Sequence, residues 1–183
     1  MRGNELTYQL VPDRELNEIA LKKGVFIAVI HATRIPPHIG LIIAGKYHSL
    51  SVKGQDLNIP ADAFVRNSNL RKIPCLFIKL KSHSTFSDDY LSEHFIENVK
   101  QFRRVDVGVA TCLSPIRLFF EETYGISMER VNYLYELLPV LEAKGLIEYC
   151  SSLNIDRDHY ELPVYSQKEI EAGITQVRNE YQN

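Results

Sequence analysis

Residues 107–125, Val107-Gly-Val-Ala-Thr-Cys-Leu-Ser-Pro-Ile-Arg-Leu-Phe-Phe-Glu-Glu-Thr-Tyr-Gly125, decide how the rest of the chain is organised. Ile116, Phe119, Phe120 and Tyr124 recur at helical spacing, Arg117, Glu121 and Glu122 fall largely elsewhere on the wheel, and Gly125 supplies a stop. The stretch predicts a helix docked by its apolar face, with Cys112 at its start. Pro115 allows two placements. With proline at the first helical position, Ser114 is the cap and Cys112 lies just outside; with helix residues beginning at Leu113, Cys112 is itself the cap. Free N–H groups and the positive end of the helix dipole favour thiolate over thiol there. The backbone near Cys112 and Leu113 can also receive an oxyanion. The plain alternative is a packed thiol, because cysteine is among the most buried residue types.

A helix of this kind needs a sheet to dock on, and the chain upstream supplies one. Val25 to Ile30 is a continuous apolar, β-branched run that reads as a buried strand. After the prolines at 36 and 37, the stretch from His38 to Val52 reads as a hairpin turning at Ala44-Gly45-Lys46, with His38 at the mouth of its first strand. The turn length sets which side chains share a face with His38. An odd loop count brings His48 there, an even count Ser49 and Ser51. Ile73 to Leu80 reads as a third strand and Pro60 to Phe64 as a helical turn. Ser87 or Asp88 caps a helix reaching about Phe102. Pro12-Asp13 opens a short helix ending at Gly24. Beyond Gly125, Ser127 caps a helical stretch that Pro139 should kink or divide; Leu146 to Cys150 could add a strand, and a polar amphipathic helix runs from Gln167 to Gln182.

The 183 residues are 45% hydrophobic and carry a formal charge of −2. The chain can therefore bury a full core, and it lacks the basic footprint of a nucleic-acid binder. Neither a signal-type segment at the N-terminus nor an apolar run long enough to span a bilayer is evident, so the reading is of a soluble chain without a transmembrane segment. Its three cysteines lie far apart with no Cys-x-x-Cys pair, which suits a reducing, cytoplasmic compartment and argues against a disulfide framework or thiolate zinc site.

A histidine opening a hairpin strand and a cysteine opening a helix are the parts of a thiol hydrolase: a nucleophile, a base, and a polar residue (His48, Ser49 or Ser51) to orient the ring. The order and spacing resemble the circularly permuted, papain-like peptidases and amidases of the NlpC superfamily, whose relatives include lecithin:retinol acyltransferase-like enzymes. The family's His-Val-Gly-Ile-Tyr strand is matched by His38-Ile39-Gly40-Leu41-Ile42, and the nucleophile helix by the one that begins at Cys112. Two features differ: Gly24-Val25 stands where the family often has Gly-Asp, and Cys112-Leu113-Ser114 where it has Cys-Ser-Glu. The orienting residue usually lies some twelve positions past the histidine, where this chain has Leu50.

The resemblance implies an α+β fold, an antiparallel sheet or small barrel packed on helices. On this resemblance residues 1–126 are expected to form the catalytic core and 127–183 a helical extension packed on it. It implies Cys112 and His38 as catalytic residues with His48 as orienter, a site free of metal and cofactor, and amide or ester substrates drawn from peptide, cell-wall peptide or acyl-lipid. Loops 31–37 and 81–87 would form the groove. Two rivals stand beside it: a catalytically inactive binding module of the same fold, and a metal site built from His31, His38 and His48.

Overall fold

The computed structural model describes residues 8–182, so the N-terminal residues read for an export signal lie outside the described ones. The protein is α+β. Seven strands, β1 (Arg14–Glu15), β2 (Val25–Ile30), β3 (His38–Ile43), β4 (Lys46–Leu50), β5 (Gln55–Pro60), β6 (Cys75–Leu80) and β7 (Ile147–Leu153), form one sheet in the order β1-β7-β6-β2-β3-β4-β5. All neighbours pair antiparallel except β1 with β7. Five helices accompany it: α1 (Ala61–Leu70), α2 (Asp88–Lys100), α3 (Ser114–Tyr124), α4 (Leu134–Ala143) and α5 (Gln167–Gln182).

The continuous apolar run of β2 is explained by its position: it lies mid-sheet, buried along its whole length, and feeds side chains alternately to two cores. Val25, Ile27 and Val29 join Leu91, Phe95, Ile116, Phe119, Leu138 and Ile174 in the larger core, on the face covered by α2–α5. Phe26, Ala28 and Ile30 join Ala61, Val65 and Phe77 in a smaller core under α1.

Several expectations are corrected. The helix expected from Pro12-Asp13 is instead the two-residue β1 followed by a 3-10 turn over Glu18–Lys22, capped by Asn17. Residues 55–60, which gave no strand signal, form β5. The helix expected from Ser127 begins only at Leu134, and it carries Pro139 in its interior without dividing. Residues past 126 are more than a helical extension. They supply β7, which lies between β1 and β6, and side chains from α4 and α5 complete the larger core.

The β3–β4 turn is two residues long, Ala44 and Gly45, both at positive φ (51° and 77°), as a tight hairpin with primed turn geometry requires. An even loop pairs Leu41 with His48 and Ile42 with Tyr47, so the next positions facing each other outward are Gly40 and Ser49. Gly40 is needed there: a Cβ on it would lie 2.5 Å from Tyr47 Cε2 and 2.9 Å from Ser49 Cβ. Gly40→Ala is therefore expected to lower stability by about 1–3 kcal/mol through overpacking. Thermal unfolding measures this, and an unchanged melting temperature would show that the hairpin absorbs the methyl.

Candidate active site

Each functional side chain is placed by a local feature of the chain. His38 is the first residue of β3, at the sheet's open end. Its Nε2 lies 3.1 Å from Ser49 Oγ on β4, and the Ser49 hydroxyl donates to Asp56 Oδ2 at 3.2 Å on β5. A bulge brings that carboxylate into line. Lys46 pairs with Pro60 and Tyr47 with Ile59, but Ser49 pairs with Asp56, one residue further along β5 than unbroken register would give. The extra residue moves Leu57 from the place opposite Ser49 and puts Asp56 there. Asn58, at φ 57°, sits inside the irregular stretch.

These bonds fix the tautomer. A carboxylate only accepts, so Ser49 gives its proton to Asp56 and presents a lone pair to the ring; Nε2 must then carry the ring proton. Nδ1 is left bare, and among the described residues it has no hydrogen-bond partner. That nitrogen is free to act as a base.

Cys112 precedes α3. The helix begins at Ser114, with Leu113 as cap and Pro115 second, so the cysteine stands one residue before the cap. Ser114 Oγ accepts from the Thr111 N–H at 2.9 Å, and Thr111 Oγ1 accepts from the Leu113 N–H at 3.2 Å, which closes a tight turn around the thiol. The Cys112 N–H donates to no other group among the described residues. The expectation of a lowered thiol pKa is corrected: burial raises it, opposed by the N–H groups of Ile39, Cys112 and Leu113. His38, Ile39 and Cys112 all line the same cavity, so the thiol stands near the start of β3. Burial lowers His38 to about 4, with His31 pushing the same way. The resting pair is thus neutral thiol and neutral imidazole. Burial also raises Cys75 to about 11 and Cys150 to about 12.

Cys112 and His38 open onto one cavity of about 450 Å³, half-enclosed and mostly apolar. Loop 31–37 forms one wall, as expected. The other comes from α5 through Ile170, Gly173, Ile174 and Val177, with Tyr165 before it, while the 81–87 loop expected to share the groove is absent from the lining. Helix α5 is held down by a capping box between Ser166 and Glu169 and an ion pair of Arg178 with Asp106 at 2.7 Å. Gly173 permits the close approach: a Cβ there would meet Pro36 Cδ at 2.8 Å.

His48 does not orient His38. It points to the opposite face, where Nδ1 accepts from the Asn58 N–H (3.0 Å) and Nε2 donates to Ser92 Oγ (3.1 Å), with Phe95 edge-on at 6.2 Å. Of the substitutes, Ser49 touches the ring; Ser51 borders the cavity, but its hydroxyl bonds Gly54 O. The metal rival loses its third imidazole in the same way, and among the described residues no group of three or more His, Cys, Asp or Glu is placed to hold an ion. Asp56 was missed: its signal was an acid seven residues past Ser49, legible only once β5 and its bulge are known. Among the described residues no helix is long and apolar enough to cross a membrane.

The buried His48 gives a pH test. Protonating Nδ1 would break its bond to Asn58, and burial, with Lys46 adding, lowers its pKa to about 4. Between about pH 6.5 and 4 the unfolded chain binds protons at His38 and His48 that the folded chain refuses, so stability falls as pH drops through that window. His48 alone accounts for roughly 3 kcal/mol. Melting temperature is expected to decline from pH 7 to 4, and less steeply in His48→Gln; parallel curves would contradict this.

No family model, curated protein or solved structure matches the chain.

Proposed function

We propose that the protein is a cysteine hydrolase of amides or esters, with the permuted papain-like arrangement of NlpC-type enzymes. The observation that carries this reading is the Asp56–Ser49–His38 series, which leaves Nδ1 unprotonated on a ring whose residue lines the same cavity as Cys112. In this reaction Cys112 transfers its proton to His38 Nδ1 as the sulfur forms a bond to the carbonyl carbon. The imidazolium is stabilised through Ser49 by the Asp56 charge, and the Cys112 N–H receives the oxyanion. Collapse of the tetrahedral intermediate breaks the bond to the leaving amine or alcohol, which takes the proton from His38. Water, deprotonated by Nδ1, then attacks the thioester, releasing the acid and restoring the thiol. A neutral resting pair suits this sequence, because the two charges arise together in a partly desolvated site where each stabilises the other.

Ser49→Ala and Asp56→Asn test the arrangement. Each is expected to lower kcat/KM on a panel of nitrophenyl esters and peptide anilides by about a hundredfold, because the ring loses its orientation and its preferred tautomer. KM should change little. Activity unaffected by either change would remove the role given to the series.

A further inference from the structure

One shoulder of the cavity carries the guanidinium of Arg34. His31 and Arg34 line it beside His38, in a loop held at three points: the Arg34 N–H donates to His31 O (2.8 Å), the Ala32 N–H to Pro74 O (2.9 Å) and Tyr160 Oη to Ala32 O (3.2 Å). His31 sits at φ 52°, a left-handed conformation that costs a branched or bulky residue energy and persists where surrounding contacts enforce it. Arg34 and Arg71 both lie near enough to His31 to disfavour its protonation. Neither guanidinium makes an ion pair or side-chain hydrogen bond among the described residues. The carboxylate on the cavity wall, Glu180, instead accepts from Gln176 of its own helix at 3.3 Å.

We infer that the corner formed by His31 and Arg34, backed by Arg71, is a subsite for an anionic group of the substrate, a carboxylate or phosphate monoester, held beside Cys112. Its role as a substrate subsite rests on the hydrolase reading above. Guanidinium is suited to both groups, since its planar fork pairs two oxygens at once. The apolar wall of Ile170, Ile174 and Val177 faces the remainder of the molecule. The centre therefore selects amides or esters that carry an anion close to the scissile carbonyl and a hydrophobic part beyond it.

Two alkylating agents of nearly the same shape, iodoacetate and iodoacetamide, read the corner directly through Cys112, followed by peptide-level mass spectrometry on the full chain. At low salt, Arg34→Gln is expected to slow the iodoacetate reaction about five- to tenfold and to leave the iodoacetamide rate within about twofold, with Arg34→Lys intermediate. Protection of Cys112 from iodoacetamide by hexanoate, hexyl phosphate and hexanol tells the head groups apart. Whichever anion protects at lower concentration than hexanol, and loses that advantage in Arg34→Gln, identifies the group. Equal protection by hexanol, or an iodoacetate-to-iodoacetamide ratio unmoved by Arg34→Gln, overturns the subsite. Charge selection that depends on Arg34 in a chain that hydrolyses no ester or amide would overturn the hydrolase reading alone.

Discussion

Cys112→Ala is expected to reduce turnover of any amide or ester the protein accepts by about 10⁴-fold or more, and His38→Ala by a similar factor. The double variant should be no worse than either single one, because nucleophile and base act as a unit and neither works without the other. Both residues border a cavity, so removing a half-buried thiol leaves the core intact and the melting temperature should move by only a few degrees. Turnover surviving in Cys112→Ala would place the chemistry elsewhere; Cys75 and Cys150, both buried, are poor substitutes for it. Multiplicative losses in the double variant would mean that His38 and Cys112 contribute independently, which the proposed proton transfer forbids.

The largest effect on stability is expected at Phe119. It is fully buried on α3, with ring centroids 5.4 Å from Phe95, 5.4 Å from Phe120 and 5.8 Å from Tyr124. Phe119→Ala removes the middle of that aromatic group and leaves a cavity between α2 and α3, at a cost of about 3–5 kcal/mol. For a chain of this length that lowers the melting temperature by about 6–20 °C. The denaturant midpoint should fall with an unchanged slope. Ile19→Ala, at a side chain 74% exposed, is the control and should stay within about 0.5 kcal/mol of the native protein. Equal shifts in the two variants would show that the α2–α3 packing does not hold the fold together. Because α3 starts directly after Cys112, a loosened helix should also misplace the thiol.

The elements legible in the sequence are those whose signal is local. The helix after Cys112 announces its apolar face and its Gly125 stop, which adopts φ 63° as expected, and Ser87 caps α2 through Tyr90 N–H. The hairpin was legible too, but the face that accompanies His38 was not, since it hangs on whether the turn holds two residues or three. The parity rule itself held: two residues bring Ser49 to the ring and send His48 away. Asp56 was hidden because a bulge is invisible to a period-two reading, and the polar Gln55-Asp56-Leu57-Asn58 run resembles a loop. Tertiary partners account for the other misses. Two-residue β1 exists only because β7 offers it a parallel edge, and the turn after Ser127 stays non-helical while Glu121 accepts from the Met128 N–H. The thiol pKa is not legible at a helix start, whose donors favour thiolate, because burial among α5 and its neighbours outweighs them.

The position of β7 has a consequence for synthesis. Every residue of the proposed chemistry has left the ribosome once Cys112 emerges, yet β6 then still carries one bare flank, since its partner spans residues 147–153. A nascent chain halted in that interval exposes a hydrophobic strand edge of the kind that recruits other chains. The wall that shapes the cavity comes later still, with residues 165–180. The cavity thus cannot be finished before residues 165–180 have been made, and a stop ahead of them is expected to yield aggregates in place of a working fragment.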